Sequence, residues 1–103
     1  MQLKRVVVTG LGAMTPIGNT AQEFWQNLLA GKSGAAPITL FDVTEFKTQF
    51  ACEVKNFDPL DFLDKKEARR MGAFTHFALA ASDEAIKHSG LVIDDSNAEM
   101  VGT

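Results

Sequence analysis

Apolar positions change period along this chain, and each period predicts a different element. Arg5-Val6-Val7-Val8-Thr9 is β-branched and apolar without alternation, the pattern of a parallel strand covered on both faces. Thr20-Ala21-Gln22-Glu23 reads as a capping box, with Thr20 capping and Glu23 reaching back to it. The helix it opens carries Phe24, Trp25, Leu28 and Leu29 on one face, and Gly31 supplies its stop. Residues 32–47 keep no sustained period and hold turn residues at Ser33-Gly34 and Pro37. Phe50, Cys52 and Val54 then alternate with Ala51, Glu53 and Lys55, which predicts a strand with the Phe50, Cys52 and Val54 face buried.

Asp58-Pro59 marks a helix start, because Asp caps and Pro suits the first helical position. Asp64-Lys65-Lys66-Glu67 marks a second one. From there Met71, Phe74, Ala78, Ala81 and Ala85 recur at helical spacing and predict one long helix ending at Gly90, with Lys87 and His88 in its last turn. Beyond Leu91-Val92-Ile93 and an acidic turn at Asp94-Asp95, Glu99-Met100-Val101-Gly102-Thr103 predicts the opening of another buried strand, cut within its length.

The stretch Gly10-Leu11-Gly12-Ala13-Met14-Thr15-Pro16 imitates a nucleotide loop, and its spacing excludes one. A dinucleotide fingerprint needs a third glycine where Thr15 stands, directly opening a helix. Pro16 removes an N–H donor, and no acidic residue ends a second strand about 20 residues on. Gly31-Lys32-Ser33 copies the end of a Walker A motif, but Gln26 occupies the required earlier glycine and a helix precedes rather than follows Lys32. Both stretches are expected to be turns.

Composition narrows the class. The 103 residues are 46% apolar and 22% charged, with a net charge of −3, which fits one small globular unit. No apolar run approaches the ~20 residues of a membrane span, and the run behind Lys4-Arg5 is too short for a secretory signal. A lone cysteine closes no internal disulfide and fits a reducing cytosol. Cys52, within an alternating strand and with no His close in sequence, is expected to be a small buried apolar residue. His76 and His88 lie twelve residues apart and form no metal pair. His88 is expected to meet carbonyls at the helix end, and His76 to lie at the surface or its boundary.

Lys65, Lys66, Arg69 and Arg70 are the more informative cluster. In the first turns of a long helix these cations would oppose the helix dipole at about 0.3–1 kcal/mol each, offset in part by Asp64 and Glu67. Lys66, Arg69 and Arg70 share a stripe by i, i+3 and i, i+4 spacing, with Lys65 flanking it. The apolar face through Met71, Phe74 and Ala78 lies about a quarter turn away. A nucleic-acid domain has a pI above ~9 and a broad basic surface. This chain's pI of about 5.2 argues instead for a local basic spot that meets a small acidic protein.

Taken together, "RVVVTGLGAMTPIGNT", "FWQNLLAGKSG" and "KKEARRMGAFTHFALAASDEAIKHSGL" resemble the N-terminal part of the β-ketoacyl-acyl-carrier-protein synthases of type II fatty-acid synthesis. The likeness runs in order over essentially the whole chain. It departs at Gly72, where the family usually has Asp. The resemblance implies an α/β class and a partial thiolase-like fold, with residues 1–103 the N-terminal part of its first half. That part would hold a first strand, its helix, an irregular excursion, a long helix and the start of the next strand. It also implies a cytoplasmic, homodimeric condensing enzyme with no cofactor, no nucleic acid and no membrane contact, whose partner is acyl carrier protein in its acyl and malonyl forms.

By the same resemblance Lys65, Lys66, Arg69 and Arg70 receive the carrier's acidic helix. The family's nucleophilic Cys, two catalytic His and Lys would fall beyond Thr103, so no catalytic, cofactor-binding or metal-binding residue is expected among these residues. Two other readings stay open. One is a catalytically silent condensing partner subunit, and the other is a free-standing module that binds an acidic protein and would have to fold on its own.

Overall fold

The computed structural model describes residues 1–103. Its elements are mixed, as expected: helix α1 at Ala21–Leu29, strands β1 at Ala35–Pro37 and β2 at Phe50–Cys52, and helices α2 at Lys65–Arg70 and α3 at Ala73–Ser89. Two 3-10 turns, Pro59–Asp61 and Ala98–Met100, complete it.

Local chemistry explains the helix ends. Thr20 Oγ1 accepts from the Glu23 N–H at 3.1 Å. Glu23 reaches back one residue further than expected, its carboxylate accepting from the N–H of Asn19 at 3.5 Å rather than of Thr20. At the other end Gly31 adopts φ +70°. There the Gly31 N–H bonds to Leu28 O at 3.1 Å and the Lys32 N–H to Asn27 O at 2.9 Å, a Schellman closure that requires the left-handed residue. Gly90 ends α3 in the same left-handed region.

β1 and β2 pair antiparallel with Ala35 opposite Cys52 and Pro37 opposite Phe50. So the irregular stretch contributes one strand of a ribbon. Alternation along β2 is inverted: Ala51 is its shielded residue, while Phe50 and Cys52 are exposed. The expectation of a buried Cys52 therefore fails, because the two-stranded ribbon carries no layer over that face.

Three further expectations are corrected. Residues 5–9 form no strand, and Val6 and Val8 are 90% and 79% exposed; a strand is defined by its ladder, and no neighbour supplies one here. Residues 99–103 likewise form no strand, since Ala98–Met100 is a 3-10 turn. The long helix is broken, with Met71 (φ −118°, ψ 146°) and Gly72 (φ −76°, ψ 163°) both outside the helical region. α3 consequently begins at Ala73 with no side-chain cap. The apolar period runs straight through this break, which is why the sequence did not reveal it.

Only Gly18 and Ala80 are buried. The accessible surface is 8729 Å², where a compact monomer of this mass exposes about 5,700 Å². The radius of gyration is 17.7 Å, against about 13 Å for a compact domain of this length. Large apolar side chains contribute to the excess: Trp25, Leu28 and Leu29 of α1 and Phe74 of α3 are exposed.

Candidate functional site

The glycine stretch packs against α3. A Cβ on Gly10 would lie 2.3 Å from Ala85 O, and one on Gly12 only 1.8 Å from Ala81 O. Only glycine allows this approach of backbone to helix. Ala81 and Ala85, four residues apart, form the small-residue ridge that receives the two glycines.

Two of the loop's N–H donors, those of Leu11 and Ala13, are taken by side chains of α3. Glu84 takes the Ala13 N–H at 3.1 Å and the Ala21 N–H at 2.7 Å, one on each carboxylate oxygen. His88 Nδ1 accepts from the Leu11 N–H at 3.0 Å, so its ring meets the loop and not the carbonyls of its own helix end. Thr15 and Gly18 exchange backbone bonds of 2.8 and 3.2 Å across Pro16-Ile17. Beside this turn a cleft of about 250 Å³ includes Glu23, Lys32 and Lys55 in its lining. The Lys55 ammonium there already donates to the carbonyls of Pro16, Gly34 and Glu53. The stretch is a turn and a helix contact, and its nearest anion is the chain's own Glu84.

The basic cluster is positioned from both sides. Asp58 caps the 3-10 turn through the Leu60 N–H at 2.9 Å, with Pro59 in its first position. Phe57 stacks on Phe62 at 5.8 Å and meets Phe77 of α3 edge-on at 5.2 Å, which ties this turn to α3. Asp64 then caps α2 through the Glu67 N–H at 2.8 Å.

Within α2, Lys65, Lys66, Glu67, Arg69 and Arg70 are exposed and Ala68 is half-buried. None of the four cations joins an ion pair, the only one in the chain being Lys87–Asp83 at 2.7 Å. Because α2 has six residues, Arg69 and Arg70 fall in its last turn. There the dipole favours them, contrary to the expected opposition. The expected quarter-turn relation to Phe74 and Ala78 also lapses, since those residues belong to α3 and both are exposed.

His76 is half-buried, and its Nε2 lies 2.9 Å from Ala68 O. A carbonyl only accepts, so Nε2 carries the proton. No group of three or more His, Cys, Asp or Glu gathers in a metal-binding arrangement. No helix is long and apolar enough to cross a membrane.

The amino-acid sequence places the chain in a known class. The family model of the β-ketoacyl synthase N-terminal domain matches residues 3–103, and the chain belongs to that family. It is 54% identical over 102 residues to 3-oxoacyl-[acyl-carrier-protein] synthase 2 of Synechocystis sp., and 49% identical over 102 residues to the protein of that name from Coxiella burnetii. These alignments take in 99% of this chain and 24% and 25% of the relatives, so the chain spans about a quarter of their length.

Among solved structures it is similar to the ishigamide ketosynthase/chain length factor, with a TM-score of 0.77 and 39% identity over 86% of this chain and 22% of that one. A β-ketoacyl synthase from Burkholderia phymatum gives a TM-score of 0.71 and 28% identity, over 94% of this chain and 24% of that one. The partial α/β fold is that of these ketosynthases.

Proposed function

We propose that this chain is the N-terminal part of a cytosolic, homodimeric 3-oxoacyl-[acyl-carrier-protein] synthase, and that α2 is where it receives the carrier protein. The complete enzyme transfers an acyl group to its Cys. Malonyl carrier protein then loses CO2 to give a carbanion that attacks the carbonyl of the Cys thioester, breaking its C–S bond to free the Cys thiolate and lengthening the chain by two carbons. His side chains polarise the malonyl thioester oxygen during this step. Residues 1–103 contribute scaffold and docking charge. The reading is carried by the 54% identity that extends over almost the entire chain.

For docking, the supporting observation is electrostatic. Lys65, Lys66, Arg69 and Arg70 are exposed on one short helix without an intramolecular ion-pair partner, on a chain of net charge −3. Such a spot steers an acidic partner and excludes a basic one.

The test is Arg69→Glu with Arg70→Glu in the complete enzyme. Efficiency with acyl-carrier-protein substrates should fall at least roughly tenfold, as expected for reversed charge at an interface, with a smaller loss on acyl thioesters of coenzyme A. Equal loss on both refutes docking at α2.

A second reading is favoured by one observation, the likeness to a ketosynthase/chain length factor. The chain would then belong to a condensing partner subunit without a nucleophile. The reading frame past Thr103 decides: the family's Cys at a helix start supports the synthase, and its replacement supports the partner subunit.

A further inference from the structure

The geometry points to His76 as the residue that fixes the attitude of α2, and with it the basic stripe, toward an acidic protein partner; this inference rests on the docking reading above. α2 has six residues, fewer than two turns, and a helix that short does not hold itself in water. Its orientation must come from bonds to its neighbours.

In front, Asp64 caps it and the Phe57, Phe62 and Phe77 group ties the preceding turn to α3. Behind, the chain leaves the helical region at Met71 and Gly72, and Gly72 supplies no side-chain bond. Two bonds reach the Ala68 carbonyl there. One is the long backbone bond from the Met71 N–H, at 3.4 Å. The other is His76 Nε2–H, at 2.9 Å, from the first turns of α3.

Ala68 is also the one half-buried residue of α2, among its exposed cations. Its carbonyl belongs to the last turn, whose acceptors find no partner within the helix. His76 therefore gives this acceptor a second, shorter bond than the 3.4 Å one from Met71, and braces the helix across its hinge in one contact. Neighbouring residues of α3 thus hold both ends, Phe77 the front and His76 the back. A braced helix presents Lys66, Arg69 and Arg70 from a fixed base, which lowers the ordering cost of docking.

The experiment uses the complete enzyme and compares His76→Leu, which removes the donor, with His76→Gln, whose amide N–H₂ retains one. His76→Leu should raise KM for acyl carrier protein roughly fivefold, the usual worth of one hydrogen bond. Its kcat and its KM for an acyl thioester of coenzyme A should stay within about twofold, and His76→Gln should restore the carrier KM to within about twofold. An unchanged carrier KM in His76→Leu overturns the inference. So does an equal rise on both thioesters, which would mark a general structural defect. Arg69→Glu with Arg70→Glu is measured alongside. If it raises the carrier KM while His76→Leu does not, only the positioning role fails; if neither raises it, the docking reading itself fails.

Discussion

Glu84 Oε1 accepts the backbone N–H of Ala21 at 2.7 Å, across 63 residues of sequence. Its second oxygen takes the N–H of Ala13, so one carboxylate of α3 joins the glycine loop to the start of α1. The loop does hold an anion, and the anion is a side chain. Glu84→Gln leaves one amide oxygen for two donors and turns an N–H₂ toward one of them. An unsatisfied donor costs about 1–3 kcal/mol. In the complete protein the Ala21 or Ala13 amide should exchange with solvent roughly tenfold faster. Unchanged protection of both amides would refute the clamp.

Gly12 has no room for a methyl group. A Cβ there would lie 1.8 Å from Ala81 O, a backbone atom that cannot rotate away. Gly12→Ala should push the loop off α3 and destabilise the complete protein by about 3 kcal/mol, read as a shift of its denaturation midpoint.

Gly72 leaves the first turn of α3 without a side-chain acceptor, in an extended conformation that Asp also adopts. Gly72→Asp should cap α3 and stabilise by about 0.5 kcal/mol. Its Cβ would come within 3.1 Å of the Phe74 ring, which is 79% exposed and free to turn aside. A lower midpoint in the variant would show that Phe74 is held by something else.

Asp42 titrates below its ordinary 3.8, first because the Thr44 hydroxyl donates to it and second because the Thr44 N–H does. A carboxyl whose folded pKa is depressed stabilises the fold at pH above its unfolded value. That contribution disappears as pH falls through the folded value, below 3.8. Thr44→Ala removes the hydroxyl and keeps the N–H, so the Asp42 pKa should rise part of the way back. Carboxyl-carbon NMR shifts followed against pH would detect it, and an unmoved titration would refute the assignment. The site is fully exposed, and the stability change should be correspondingly small.

Helix ends were legible because their chemistry is local. Thr20, Asp58 and Asp64 each bond an N–H two or three residues ahead, and Gly31 and Gly90 take the left-handed turn that only their missing side chain makes easy. The family likeness was legible for a related reason, since motifs are read in order along the chain. The exclusion of a phosphate loop also came from spacing alone, although the residue that occupies those donors did not.

Three-dimensional relations decided the rest. Nothing near Glu84, His88 or His76 in sequence announces their partners at Ala13, Leu11 and Ala68, because a hydrogen bond over such separations exists only once the intervening chain has folded. The break at Met71-Gly72 was hidden by an apolar period that continues across it, and Gly72 was its one local sign. Strand propensity at Val6-Val7-Val8 is plain in the sequence, but a strand is a relation between two segments. The amino-acid order by itself set the caps, the turns and the family; tertiary structure decided which acceptor each donor meets and where the charged helix points, because those depend on distances that sequence separation does not measure.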